Sequence, residues 1–130
     1  MSKKILITGS SRGIGAALAK LAINDGFEVI LHGYKLSKNL KLISKQLGSK
    51  YVTFDVNNEK EIKHALKSIK NIDILINSAG INISKSFKKL TNKDWVSIYN
   101  TNVLGIANVI RHALPIMKKS NSVKKIINIA

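Results

Sequence analysis

The chain has no cysteine, a single proline, 5% aromatic residues and only seven acidic side chains. Without cysteine there is neither a disulfide framework nor a thiolate-held metal, which agrees with a reducing compartment. No apolar run approaches the roughly 20 residues that a membrane-spanning helix requires. The opening Met1-Ser2-Lys3-Lys4 is followed only by Ile5-Leu6-Ile7 before Thr8-Gly9, far short of a secretory signal. The expectation is a cytoplasmic protein with no membrane partner. His32, His64 and His112 lack metal-ligand spacing and no carboxylate pair accompanies them, so no metal site is expected.

What the chain does have is 130 residues, 45% of them apolar, enough for one domain and too apolar for a disordered tail. Its 22 basic residues against seven acidic ones give a net charge of +15. Such a charge invites a nucleic-acid reading, but its distribution argues against specific recognition. Basic residues occur singly or in pairs, as in Lys88-Lys89, Lys118-Lys119 and Lys124-Lys125, never as a block. Lysine greatly outnumbers arginine, whose planar fork is preferred for reading base edges.

Short apolar runs alternate with amphipathic segments. Strands are predicted at Lys4–Thr8, Glu28–His32, Lys50–Phe54, Ile72–Ile76 and Lys124–Ile129. A helix over Gly13–Asp25 is expected to turn Ile14, Leu18 and Leu21 inward, with Gly26 ending it. Ser37 caps a second helix that runs to Leu47 and stops at Gly48, and Asn58 opens a third carrying Ile62, Leu66 and Ile69. Thr91 opens the longest helix, with Asp94 in a capping box, a Leu90–Trp95 staple, and a stripe of Trp95, Ile98, Tyr99, Val103, Ile106, Ile110, Ala113 and Met117. Pro115 is expected to distort or end its last turns. Parallel strands need crossover helices, so the alternation implies an α/β, doubly wound parallel sheet of five strands in the order 3-2-1-4-5.

Gly9-Ser10-Ser11-Arg12-Gly13-Ile14-Gly15 lies between the first strand and the first helix. Glycines there permit a tight turn, close backbone approach to a ligand and close helix–strand packing, while the helix start presents N–H groups to an anion. No Gly-Lys-Ser/Thr follows, so a mononucleotide P-loop is a poor match.

The spacing G-x-x-x-G-x-G, preceded by Thr8, resembles the short-chain dehydrogenase/reductase family, with its Rossmann-like fold. Asp55 after the third strand, Asn77-Ser78-Ala79-Gly80 after the fourth, and Thr101-Asn102-Val103-Leu104-Gly105 in the long helix match that family in order. Among its members the 3-oxoacyl-(acyl-carrier-protein) reductases are the most similar in these stretches. The resemblance implies a nicotinamide cofactor bound by Gly9, Ser10, Ser11, Arg12, Gly13, Ile14 and Gly15, with Tyr34 at the end of the second strand. It implies that Asp55 accepts from the adenine amino group, that Val56 borders the ring, and that Asn77, Ser78, Ala79 and Gly80 approach the ribose. The alternative for Asp55 is a solvated cap before Asn58. Serine at position 78 replaces the family's usual second asparagine. Asn102 is either a satisfied structural asparagine on the apolar stripe or, as the resemblance implies, the catalytic-tetrad member that positions a lysine through water.

Relatives that prefer NAD carry an acidic residue at the end of the second strand; here Gly33-Tyr34-Lys35 has none, and Arg12 can reach a 2′-phosphate. NADP is therefore expected over NAD. The family's serine would come just after Ile126–Ala130, and its Tyr-x-x-x-Lys on the next helix. The resemblance thus implies that residues 1–130 hold the cofactor site of a ketone/alcohol oxidoreductase without its full catalytic set. The Tyr34/Lys38 pair, at the adenine end, is read as coincidence. Homo-oligomers are expected of whole family members and not of this chain, because the helices they use lie further on, and the fifth strand is expected to be an exposed edge. Two other readings stay open: a non-catalytic NADP-binding or sensor module, and nonspecific attraction to nucleic acid.

Overall fold

Ile5-Leu6-Ile7 shows no polar alternation because both of its faces are buried. In the computed structural model, which describes residues 2–130, this run forms β1 (Lys4–Ile7), the middle of a five-stranded sheet. β2 (Glu28–Gly33) and β4 (Ile74–Asn77) flank it, with β3 (Tyr51–Thr53) and β5 (Lys125–Asn128) at the edges, in the order β3-β2-β1-β4-β5. Every pairing is parallel, as the alternating pattern requires. The register sets Leu6 opposite Ile30 and Leu75, so one apolar layer crosses three strands.

Two cores result. Ile5, Ile7, Val29, Leu31 and Ile76 pack under α1 (Gly13–Asn24) and α2 (Lys38–Leu47). Leu6, Ile30, Phe54 and Leu75 pack under α3 (Glu59–Leu66) and α5 (Gly105–Met117). The caps are those expected. Ser37 Oγ accepts from Leu40 N at 3.1 Å, and Asn58 Oδ1 from Glu61 N at 3.2 Å. Thr91 and Asp94 complete a reciprocal box at the start of α4 (Asn92–Tyr99).

Two predicted faces differ. On α1, Ile14 and Leu21 are 63% and 62% exposed, while Gly15, Ala16 and Ala19 face the sheet. Small residues win the inward positions because the helix lies close to the strands beneath the glycine turn. The long helix is not uniform: a π-helical turn, Asn100–Leu104, separates α4 from α5. A wider turn breaks the 3.6-residue phase on which the predicted stripe depends. Past that turn Gly105, Val109, Ala113, Ile116 and Met117 are buried, whereas Ile106 and Ile110 are only half-buried and Trp95, Tyr99 and Val103 stay exposed. Pro115 is accommodated within the last turn, and the helix ends two residues later.

The strands' amino ends meet on a buried carboxylate. Asp73 Oδ2 accepts from Lys4 N at 2.8 Å and Asn71 Nδ2 at 3.0 Å, while Oδ1 accepts from Lys124 Nζ at 2.7 Å. Burial by itself would raise its pKa, but the Lys124 ammonium, the Lys4 amide and the Asn71 amide outweigh burial and hold it below the ordinary carboxylate range. A folded-state pKa below the unfolded one means stability that is complete above about pH 4 and lost as pH falls through the folded value. Asp73→Ala is expected to cost roughly 2–3 kcal/mol, since Lys124 loses its partner. Urea titrations from pH 7 downward should also show a shallower acid-induced loss in the variant.

Candidate functional site

At the carboxyl ends of β1 and β4 the chain leaves to opposite faces of the sheet, which opens a crevice between the two strands. Thr8 anchors it: buried Oγ1 accepts from Ser78 N at 3.0 Å and Ala79 N at 3.1 Å. Above it runs the turn from Gly9 to Gly15. Gly9 has φ +63°, and a Cβ there would lie 2.7 Å from Ala79 Cα. A Cβ on Gly15 would collide with the Gly9 carbonyl. Both positions need glycine, one for conformation and contact, the other for contact alone.

The crevice is a cleft of about 630 Å³. Gly9, Ser11, Arg12, Gly13, Ile14 and Gly15 line one side of it, Tyr34, Asp55 and Val56 another, and Ser78, Ala79 and Gly80 the floor. Of the fifteen residues singled out in the sequence, these twelve come together. Ser10 faces inward: its hydroxyl donates to Ile7 O at 2.8 Å and accepts from His32 N at 2.8 Å, so it shapes the turn from beneath. Asn77 is buried and donates to Asn128 Oδ1 at 2.9 Å, which ties β4 to β5. Asn102 is half-buried rather than part of a buried stripe, and its amide pairs with one residue, accepting from Ile81 N at 2.8 Å and donating to Ile81 O at 2.9 Å. The structural reading of Asn102 therefore accounts for both of its polar atoms.

Asp55 Oδ1 accepts from Asn57 N at 2.9 Å and has no ion-pair partner among the described residues. The loop is fastened to the long helix twice, by Asn57 Nδ2 to Thr101 Oγ1 at 3.0 Å and by Asn108 Nδ2 to Val56 O at 3.0 Å. Arg12, the N-cap residue of α1, is exposed, lines the cleft and has no salt bridge among the described residues. At Gly13 an added Cβ would meet nothing within 4 Å, so the backbone there faces open space. A turn of exposed backbone at a helix start, a nearby cation and a long cleft together fit an extended cofactor with a phosphate in its middle.

Sequence reasoning missed His32, Thr101, Asn57 and Ile81 as lining residues. For His32 the available signal is its place beside Gly33, at the end of a strand feeding the crevice. Among the described residues no cluster of His, Asp or Glu is arranged to hold a metal ion, and no helix is long and apolar enough to cross a membrane.

The pattern of the short chain dehydrogenase family matches residues 3–130. A serine 3-dehydrogenase from Rhizobium radiobacter is 37% identical over 122 residues, covering 88% of this chain and 49% of that protein. A 3-oxoacyl-[acyl-carrier-protein] reductase from Aquifex aeolicus is 33% identical, covering 98% of this chain and 55% of its own length. The crystal structure of serine dehydrogenase from Escherichia coli superimposes with a TM-score of 0.85 at 31% identity, covering 96% of this chain and 60% of that one. The chain spans about half the length of the curated relatives it matches.

Gly15→Ala is expected to destabilise the fold by about 1–3 kcal/mol, because the new methyl must push the Gly9 carbonyl and the backbone cannot yield cheaply. A urea midpoint unchanged from wild type would show that the turn is looser than its packing implies.

Proposed function

The chain belongs to the short chain dehydrogenase family, and from that premise we propose that its cleft binds NADP(H) in preference to NAD(H). Arg12 carries this reading. It is a cation without an ion-pair partner among the described residues at the rim of the cleft, and the β2 end that lines the cleft, His32-Gly33-Tyr34, offers no carboxylate to ribose hydroxyls. A guanidinium fork suits a phosphate dianion, whereas a ribose 2′-hydroxyl is better served by an acid.

In this reading the backbone from Ser11 to Gly15 holds the pyrophosphate and Asp55 accepts from the adenine amino group, with Val56 alongside. Ser78–Gly80 offers backbone to the nicotinamide-side ribose. The bound cofactor supplies the hydride. Asn102 positions the Ile81 backbone beyond Gly80, at the reacting end of the cleft, by its two hydrogen bonds. The whole protein would interconvert a ketone and an alcohol. The names of two relatives, a serine 3-dehydrogenase and a 3-oxoacyl reductase, both place the reacting group on carbon 3. That favours 3-hydroxy or 3-keto acids and thioesters as the substrate class. In this reading residues 1–130 bind cofactor without turning over.

Titration with NADPH and NADH, followed by nicotinamide fluorescence, tests the assignment. Arg12→Ala is expected to weaken NADPH by about tenfold or more, the loss of a charge-assisted contact, and NADH by less than twofold. Equal losses would remove the NADP preference. Oxidation of NADPH on a 3-keto thioester by the 130-residue chain would overturn the division between binding and turnover.

A further inference from the structure

His32 is 2% exposed, yet both of its ring nitrogens are in use. Nδ1 lies 2.9 Å from Gly9 N, and Nε2 lies 2.9 Å from Phe54 O. A backbone N–H can only donate and a carbonyl can only accept. Nδ1 must therefore be the bare acceptor and Nε2 must carry the proton, so the hydrogen-bond partners fix one neutral tautomer.

The two partners have different places in the cleft. Gly9 is the first residue of the glycine turn, held at φ +63° against Ala79. Phe54 precedes Asp55 and Val56, on the opposite wall, and its ring is 4.0 Å from the imidazole, centroid to centroid. One side chain on β2 thus spans the carboxyl ends of β1 and β3. Its own N–H is held in turn by Ser10 Oγ from the same glycine turn.

We propose that His32 is a positioning residue of the cofactor site, a neutral strut that locks the glycine turn through Gly9 and fixes its distance from the adenine-side wall at Phe54–Val56. It touches no reacting atom. Its contribution is preorganisation: turn and wall are already spaced for one ligand, so less ordering is charged to binding. An imidazolium would turn an N–H toward the Gly9 N–H, which the geometry forbids. Burial, opposed by the hydrogen bond to Phe54, accordingly takes the pKa of His32 down to about 4.

The inference rests on the cofactor-binding reading above, and its test separates the two. Asparagine places an oxygen acceptor near the position of Nδ1, and glutamine places an amide donor near that of Nε2. His32→Asn should keep the lock on Gly9, and its NADPH dissociation constant should stay within about threefold of wild type. His32→Gln should raise that constant by about tenfold or more and speed hydrogen exchange of the Gly9 amide by a similar factor. Thermal midpoints of both variants serve as the control for a merely structural residue.

Nitrogen-15 spectra of the wild-type imidazole should show the Nε2–H tautomer throughout pH 5 to 8. An Nδ1–H tautomer overturns the proposal. So do variants that lose cofactor affinity equally, in step with their thermal midpoints. If the wild-type chain binds no dinucleotide, the cofactor reading fails; the tautomer and the Gly9 exchange rates then still decide whether His32 locks the turn.

Discussion

One hydroxyl oxygen accepts two backbone N–H groups at the centre of this molecule, and the shape of the cleft depends on it. Thr8 Oγ1 holds Ser78 N and Ala79 N, which ties the last residue before the glycine turn to the segment leaving β4. At that point the parallel sheet reverses the direction in which its connections run, and a crevice must open because no strand fills it. Backbone N–H groups left there without partners would be costly. Thr8 satisfies two of them with a side chain short enough to let Gly9 close on Ala79. A longer side chain at either place would push the two walls apart.

From this anchor polar contacts spread outward in two directions. Beneath the glycine turn, Ser10 and His32 carry the geometry across to β3. On the other face, Glu59 accepts from Arg111 at 2.7 Å, Arg111 donates to Asn108 Oδ1 at 3.1 Å, and Asn108 donates to Val56 O. The surface pair contributes little by itself. Its value is orientation: with its oxygen held by Arg111, the Asn108 amide turns its nitrogen toward the Val56 carbonyl. A Cβ on Gly105 would strike the Val56 side chain at 2.6 Å, so α5 meets the same loop by direct contact as well.

The strand order, the capping residues and twelve of the nineteen residues that line the cleft were legible in the sequence because each depends on local pattern: apolar runs, Ser37, Asn58 and Thr91 before helices, glycine spacing after a strand. What was not legible depends on distance between elements. The inward face of α1 is set by how near the helix lies to β1, and that proximity selects Ala16 and Ala19 over Ile14 and Leu21. The π-helical turn at Asn100–Leu104 has no signature in apolar periodicity, which assumes 3.6 residues throughout. Asn102 suggested a buried amide through that same assumption. Ser10 is indistinguishable from Ser11 until the turn folds, sends the Ser10 hydroxyl down and leaves Ser11 lining the cleft.

The charge balance bears on the ligand less directly than +15 suggests. Four of the seven carboxylates are spent on joining elements: Glu28 to Lys4, Glu59 to Arg111, Asp73 to Lys124 and Asp94 to Lys85. Asp55 alone lines the cleft as an acid, without a cationic partner among the described residues. The surplus lysines raise the concentration of any anion near the surface, but at physiological salt their influence fades beyond about 8 Å. A charge at the rim of the cleft, as at Arg12, would act on a bound phosphate at contact distance. In the proposed cofactor reading, specificity would follow from two side chains, Arg12 of the glycine turn and Asp55 of the β3 loop, a cation at one wall and a carboxylate at the other, with the buried imidazole of His32 as the strut between turn and wall.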